Sequence, residues 1–183
     1  MAVSGDKLAV TAPGYNSDTG AVYIWTGLEG LPTFNYLPDQ MILAPAMAEI
    51  SAGERWGCAV DLNNDELVIC ACLTDDIGIH TRNDESLAKL KDSGSCYVYD
   101  RSGFGATEYV LREKLVPSNL KAHDMFGTSV SMTNGTIVVG QKVAFGGGVG
   151  STRPKQEFRT FCDPTLNLRG VGTCDTPLGA KFR

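Results

Sequence analysis

Asp61, Asn63 and Asp65 occupy alternate positions in Asp61-Leu62-Asn63-Asn64-Asp65, and oxygen donors at that spacing are what a loop offers a hard cation such as calcium. Other groups with chemical potential lie nearby. Cys58, Cys70, Cys72 and Cys96 fall in apolar, β-rich segments, while Cys162 and Cys174 stand twelve apart near the C-terminal end. Asp75, Asp76, His80, Arg82, Asp84 and Glu85 crowd into the stretch from Leu73 to Ser93, together with Lys89, Lys91 and Asp92. His80 and His123 are the only two histidines, and neither sits in a nucleophile elbow or a metal-protease motif. Gly146-Gly147-Gly148-Val149-Gly150 lacks the strand-to-helix context and the lysine of a phosphate loop, and reads as a joint. No catalytic constellation stands out, so what these groups can do depends on the elements that carry them.

Those elements belong to a globular protein. The chain has 183 residues, 43% of them apolar, with a mean hydropathy near zero. Its net charge of −5 gives no electrostatic footprint for a nucleic-acid partner. No apolar run reaches the roughly 18 residues that a membrane span needs, and no secretory leader is visible at Met1-Ala2-Val3-Ser4-Gly5-Asp6. Six basic and three acidic residues lie between 145 and 183, so that segment carries +3 and residues 1–144 carry −8.

A repeat organises the first 144 residues. Gly5-Asp6-Lys7-Leu8-Ala9-Val10-Thr11-Ala12, Asn64-Asp65-Glu66-Leu67-Val68-Ile69-Cys70-Ala71 and Asn134-Gly135-Thr136-Ile137-Val138-Val139-Gly140-Gln141 align without gaps, each a turn pair followed by an apolar run. The turn pairs are those a two-residue hairpin prefers, because they tolerate positive φ. Trp56-Gly57 and Phe126-Gly127 form a second marker, 70 residues apart. A third is the alternating Gly20-Ala21-Val22-Tyr23-Ile24-Trp25 and Gly94-Ser95-Cys96-Tyr97-Val98-Tyr99, which predicts a strand buried on one face. The third unit has no counterpart to this element. Gln40–Pro45 and Leu111–Pro117 complete the first two units as fourth strands that end at proline. Burial is expected for Leu8, Val10, Val22, Ile24, Leu67, Ile69, Val98, Ile137 and Val139 or their strand neighbours.

Four short antiparallel strands repeated in tandem make the blade of a β-propeller. Phe126-Gly127-Thr128-Ser129-Val130-Ser131-Met132-Thr133-Asn134-Gly135-Thr136-Ile137-Val138-Val139-Gly140 resembles an FG-GAP repeat, the blade of integrin-alpha N-terminal propellers, and Trp56 to Cys72 is a variant of it. The expected fold is therefore all-β, an incomplete β-propeller of four-stranded antiparallel blades over residues 1–144, divided at about 1–50, 51–120 and a partial 121–144. Residues 145–183 are expected to form an irregular or flexible tail. Propellers close with about four to eight blades, so this much sequence is expected to be part of a longer chain or to self-associate through open blade faces.

The resemblance also implies an activity. It points to an extracellular or cell-surface recognition or adhesion module, non-catalytic, that reads a protein or glycan with the loops on one face. The alternatives are the propeller portion of a larger secreted or surface hydrolase, or a structural fragment. The partner loop is then the insertion from Leu73, with Asp75, Asp76, His80, Arg82, Asp84 and Glu85. Integrin-type blades often bind calcium between strands, but the Asp61 loop is shorter, with Glu66 and Ile69 where that loop has glycine and a closing acid. It reads as a plain hairpin turn, with Asp61, Asn63 and Asp65 as weak metal candidates and no cofactor required. The four strand cysteines read as buried free thiols, with one disulfide among them as the alternative. Cys70 and Cys72 are expected to share a strand face. Cys162 and Cys174 are the better disulfide candidates in an oxidising compartment, and Asn134-Gly135-Thr136 fits the N-glycosylation pattern.

Overall fold

The computed structural model describes residues 1–28, 37–45, 52–63, 65–76, 89–101, 107–117, 120–133, 136–143 and 155–162. More than half of them lie in three antiparallel sheets. The first runs in the order β1 (Ala2–Ser4), β2 (Lys7–Ala12), β3 (Ala21–Trp25), β4 (Gln40–Leu43). The second repeats it with β5 (Trp56–Asn63), β6 (Glu66–Ala71), β7 (Ser95–Asp100) and β8 (Val110–Leu115). The third contains β9 (Ser129–Thr133), β10 (Thr136–Val143) and β11 (Lys155–Cys162), paired in the order β11-β10-β9. Each sheet is therefore a meander, and each opens on a tight hairpin at one of the three aligned turn pairs. Asn63 faces Glu66 across the second turn, and Thr133 faces Thr136 across the third.

β11 corrects one expectation. The third unit has a third strand, antiparallel to β10 from Thr136↔Cys162 to Val143↔Lys155. Its sequence, Lys155-Gln156-Glu157-Phe158-Arg159-Thr160-Phe161-Cys162, carries neither the opening glycine nor the aromatic/β-branched alternation of β3 and β7, so no sequence marker announces it.

The sheets stack face to face. β1 and β2 lie against β5, and β5 and β6 lie against β9. The first layer between sheets holds Ala9, Val22, Ile24, Ile42, Trp56, Leu62, Leu67, Ile69, Tyr97 and Tyr99. The second holds Val68, Cys70, Cys96, Val98, Leu115, Phe126, Met132, Ile137 and Val139. Odd-numbered residues of β6 and β7 thus face the first sheet, and even-numbered ones face the third, as strand alternation requires. The expectation of a single buried face is overturned for the second sheet: Leu67 to Ala71 and Ser95 to Tyr99 are all buried. A strand covered on both faces becomes a continuous apolar run, and Leu67-Val68-Ile69-Cys70-Ala71 is one.

The first sheet differs. Ala9, Val22, Ile24 and Ile42 are buried against the second sheet. On its other face Leu8, Val10, Tyr23 and Trp25 are half-buried, and Val3, Met41 and Leu43 are exposed. This is the face that, on the second sheet, receives a neighbour.

Candidate functional site

The insertion between β6 and β7 leaves the second sheet through a stem locked by backbone pairing. Gly94 N–H donates to Thr74 O at 3.0 Å and Leu90 N–H to Asp76 O at 2.7 Å, and Asp76 and Leu90 form an isolated bridge. The Asp75 carboxylate accepts the Asp92 N–H at 2.9 Å. Beneath the stem, Thr74 Oγ1 and Ser95 Oγ lie 3.0 Å apart, and the Ser95 hydroxyl reaches the Tyr97 hydroxyl at 3.3 Å. Ser93 Oγ accepts the Asp76 N–H and donates to Thr74 O. Lys114 of β8 closes the cluster, its Nζ 2.6 Å from Asp76 Oδ2 and 5.6 Å from the Tyr97 ring centroid.

The electrostatics hold this cluster in one state. Burial pushes the Tyr97 hydroxyl above its ordinary pKa, with Lys114 and Ser95 only partly offsetting it. Burial opposes the Lys114 charge, but Tyr97 and Asp76 outweigh that, and the ammonium stands above the usual lysine value. Tyr97 is thereby held as a neutral phenol beside a charged ammonium. The cluster is a polar foundation whose buried groups satisfy one another.

Two joints bind the sheets together beside this stem, and they are the same device built twice. At the first, Gly53, Arg55 and Trp56 donate their N–H groups to Ser17, Asp18 and Thr19 carbonyls at 3.2, 2.9 and 2.9 Å. At the second, His123, Met125 and Phe126 donate to Lys91, Asp92 and Ser93 carbonyls at 2.7, 3.0 and 2.8 Å. The helical turn α1 (Tyr15–Asp18) aims the first set of carbonyls by running left-handed, with Asn16 and Ser17 at φ 48° and 60°. Asp92, at φ 50°, does the same in the second. His123 Nδ1 adds a contact to Asp92 Oδ2 at 3.2 Å.

Each joint also needs two glycines. A Cβ on Gly20 would stand 2.0 Å from Trp56 O, and one on Gly94 would stand 2.1 Å from Phe126 O. The glycine after each joint aromatic rests on the preceding sheet: Gly57 on Thr11 and Val22, Gly127 on Cys70 and Cys96. The aromatic itself drops into the layer between sheets, Trp56 in the first and Phe126 in the second.

Cys70 and Cys96 are bonded, which overturns the reading of all four strand cysteines as free thiols. The reason is register, since the two are directly opposite each other on β6 and β7. Closing the intervening loop stabilises the fold by about 3 kcal/mol through the unfolded state. Cys58 and Cys72 are free. β6 ends at Ala71, so Cys72 does not share the Cys70 face; its N–H instead donates to Cys58 Sγ at 2.9 Å.

The other sequence candidates distribute as follows. Asp61 spends its carboxylate on backbone: Oδ1 accepts the Leu62 N–H at 2.9 Å, and Oδ2 accepts the Met132 N–H of the third sheet at 2.6 Å. Asn63 pairs with Glu66 at the hairpin end, and Asp65 is exposed beside it. Among the described residues no three His, Cys, Asp or Glu side chains gather in a metal-binding group. Asp75 and Asp76 sit in the stem, both engaged within the chain. His80, Arg82, Asp84, Glu85, Asn134 and Cys174 lie outside the described residues, as does the Cys162 side chain. Lys114 and His123 are residues that sequence reasoning left out of the site, and their distance along the chain from the insertion hid them; Asp92 and Ser95 lie in or beside the insertion and carry no local pattern that marks their contacts.

Tandem antiparallel sheets, stacked face to face through a repeated aromatic-glycine joint, define an all-β protein built of β-propeller-type blades. Residues 109–152 match the FG-GAP repeat, and they span β8, the His123–Gly127 half of the second joint, β9 and β10. The first joint repeats the contacts of the matched one at Trp56-Gly57. No curated protein matches the chain.

Proposed function

We propose that this protein is a non-catalytic recognition module in which the insertion between β6 and β7 reads a protein or glycan partner. The observation that carries the proposal is the stem: Thr74–Asp76 and Leu90–Gly94 are tied to each other, and Lys91–Ser93 are tied to the segment that leads into the third sheet. A long connection raised on a rigid base is where binding function concentrates, because the scaffold absorbs none of the ordering cost. Asp75 and Asp76 act as anchors in this reading, and His80, Arg82, Asp84 and Glu85 supply the contact chemistry. The disulfide supports work in an oxidising, extracellular or cell-surface compartment. No helix among the described residues is long and apolar enough to cross a membrane.

The test replaces residues 77–88 with a short Gly/Ser linker and compares the two proteins on a glycan array and a panel of purified extracellular proteins. Binding by the parent that falls at least tenfold in the variant, with an unchanged melting temperature, is the expected result. Equal binding by both proteins contradicts the assignment. A second reading rests on the open face of the first sheet, where Val3 is 63% and Leu43 is 53% exposed. That face suits another sheet of the same kind, from the same chain or a second copy.

A further inference from the structure

Cys58 and Cys72 are left unused by the stem, the joints and the disulfide. Cys58 lies in the β-bulge of β5, between Trp56↔Ala71 and Ala59↔Cys70, and Cys72 directly follows the end of β6. The bulge turns the two residues toward each other. Cys72 N–H donates to Cys58 Sγ at 2.9 Å, and Cys58 Sγ lies 3.3 Å from Gly127 O. Both residues are partly exposed. We propose that Cys58 and Cys72 form an oxidisable dithiol, a second disulfide site beside Cys70–Cys96, with Cys72 as the attacking thiol and Cys58 as the resolving one.

The assignment of roles follows from the surroundings. The neighbouring Cys58 side chain lowers the Cys72 thiol, burial partly opposes that, and the Arg55 guanidinium adds to the lowering. Burial pushes the Cys58 thiol up, and the neighbouring Cys72 side chain adds to that. An accessible thiol of lowered pKa beside a resolving partner is the arrangement that favours disulfide formation over lasting adducts. With a small disulfide such as oxidised glutathione, the Cys72 thiolate attacks one sulfur and the first glutathione thiolate leaves. Cys58 then loses its proton and attacks Cys72 Sγ, and the second glutathione leaves. Two protein thiols are oxidised and one glutathione disulfide is reduced to two thiols. The product ties the β5 bulge to the end of β6 and withdraws the Cys58 thiol hydrogen from the Gly127 carbonyl, so the second joint senses the change.

The test uses the full chain with Cys162→Ser and Cys174→Ser, incubated with oxidised glutathione at neutral pH and read by thiol titration in denaturant and intact mass. The expected result is a fall from two free thiols to none with no glutathione retained. Adding Cys58→Ser leaves one stable glutathione adduct, and adding Cys72→Ser instead leaves the Cys58 thiol unmodified. Two persisting thiols in the parent, a stable adduct on the parent, or the same adduct yield in both single variants would each overturn the proposal. The parent measurement stands even if a variant fails to fold.

Discussion

Gly94→Ala will destabilise the protein by on the order of 3–5 kcal/mol, while Gly5→Ala will cost about 1 kcal/mol. Both glycines have positive φ, 82° and 55°, so an L side chain is strained at either by roughly 1–2 kcal/mol. The difference is space. A Cβ on Gly5 meets nothing within 4 Å, whereas one on Gly94 would stand 2.1 Å from Phe126 O and 2.6 Å from Phe126 N. Neither neighbour is a side chain that can rotate away. The chain must pull Ser93 from Phe126, losing the 2.8 Å hydrogen bond and loosening its companions at Met125 and His123. Overpacking of about 1–3 kcal/mol and each lost bond of about 0.5–1.5 kcal/mol add to the strain. Against the 5–15 kcal/mol typical of a domain, that is a large share. Urea denaturation of the three proteins gives the comparison, and equal losses for the two variants would show that the joint does not need its glycine.

Trp56→Ala will cost about 3–5 kcal/mol, and Trp56→Phe a smaller amount, about 1–2 kcal/mol. Trp56 is fully buried in the layer between the first two sheets. Its ring meets Tyr97 edge-on at 5.0 Å and 61°, and Tyr99 at 6.3 Å and 72°. Such aromatic pairs add about 0.5–1.5 kcal/mol beyond the area they bury. Alanine leaves a cavity that two sheets must close around, whereas phenylalanine is what the second joint already uses at Phe126. Denaturant midpoints decide the order. A Trp56→Phe loss as large as that of alanine would mean that the two joints are not interchangeable.

The sequence carried every strand of these sheets but β11, and the aromatic-glycine pairs of the joints, but not what the joints do. Turn pairs at Gly5-Asp6, Asn64-Asp65 and Asn134-Gly135 located the hairpins because hairpin turns demand positive φ from a short list of residues. Trp56-Gly57 and Phe126-Gly127 marked the repeat, and Gly20 and Gly94 opened strands. That these glycines press against the next aromatic's backbone is a contact between units, which periodicity within a unit does not report. The Cys70–Cys96 bond required knowing that β6 and β7 pair with those two residues opposite, a register fixed by the whole sheet. β11 escaped because its sequence carries none of the marker residues of β3 and β7. At the candidate site, the insertion was legible by its length and charge, but not the contacts that Asp75 and Asp76 make within the chain. A carboxylate in a loop looks the same in sequence whether it faces solvent or accepts Asp92 N–H. Lys114, which meets Asp76, comes from a different strand with no local pattern to flag it.

Stem, joints and sheets together make one claim: three stacked sheets are locked into a single rigid unit, and the insertion is raised on it. Native-state hydrogen exchange resolved to single amides tests that claim. The amides of Arg55, Trp56, Met125 and Phe126 are predicted to exchange as slowly as those of Ile69 and Val98 at the centre of the second sheet, and Gly94→Ala is predicted to speed Met125 and Phe126 by at least tenfold. Joint amides that exchange like open turns while Ile69 and Val98 stay protected would contradict it, because the sheets would then be separate units in loose contact.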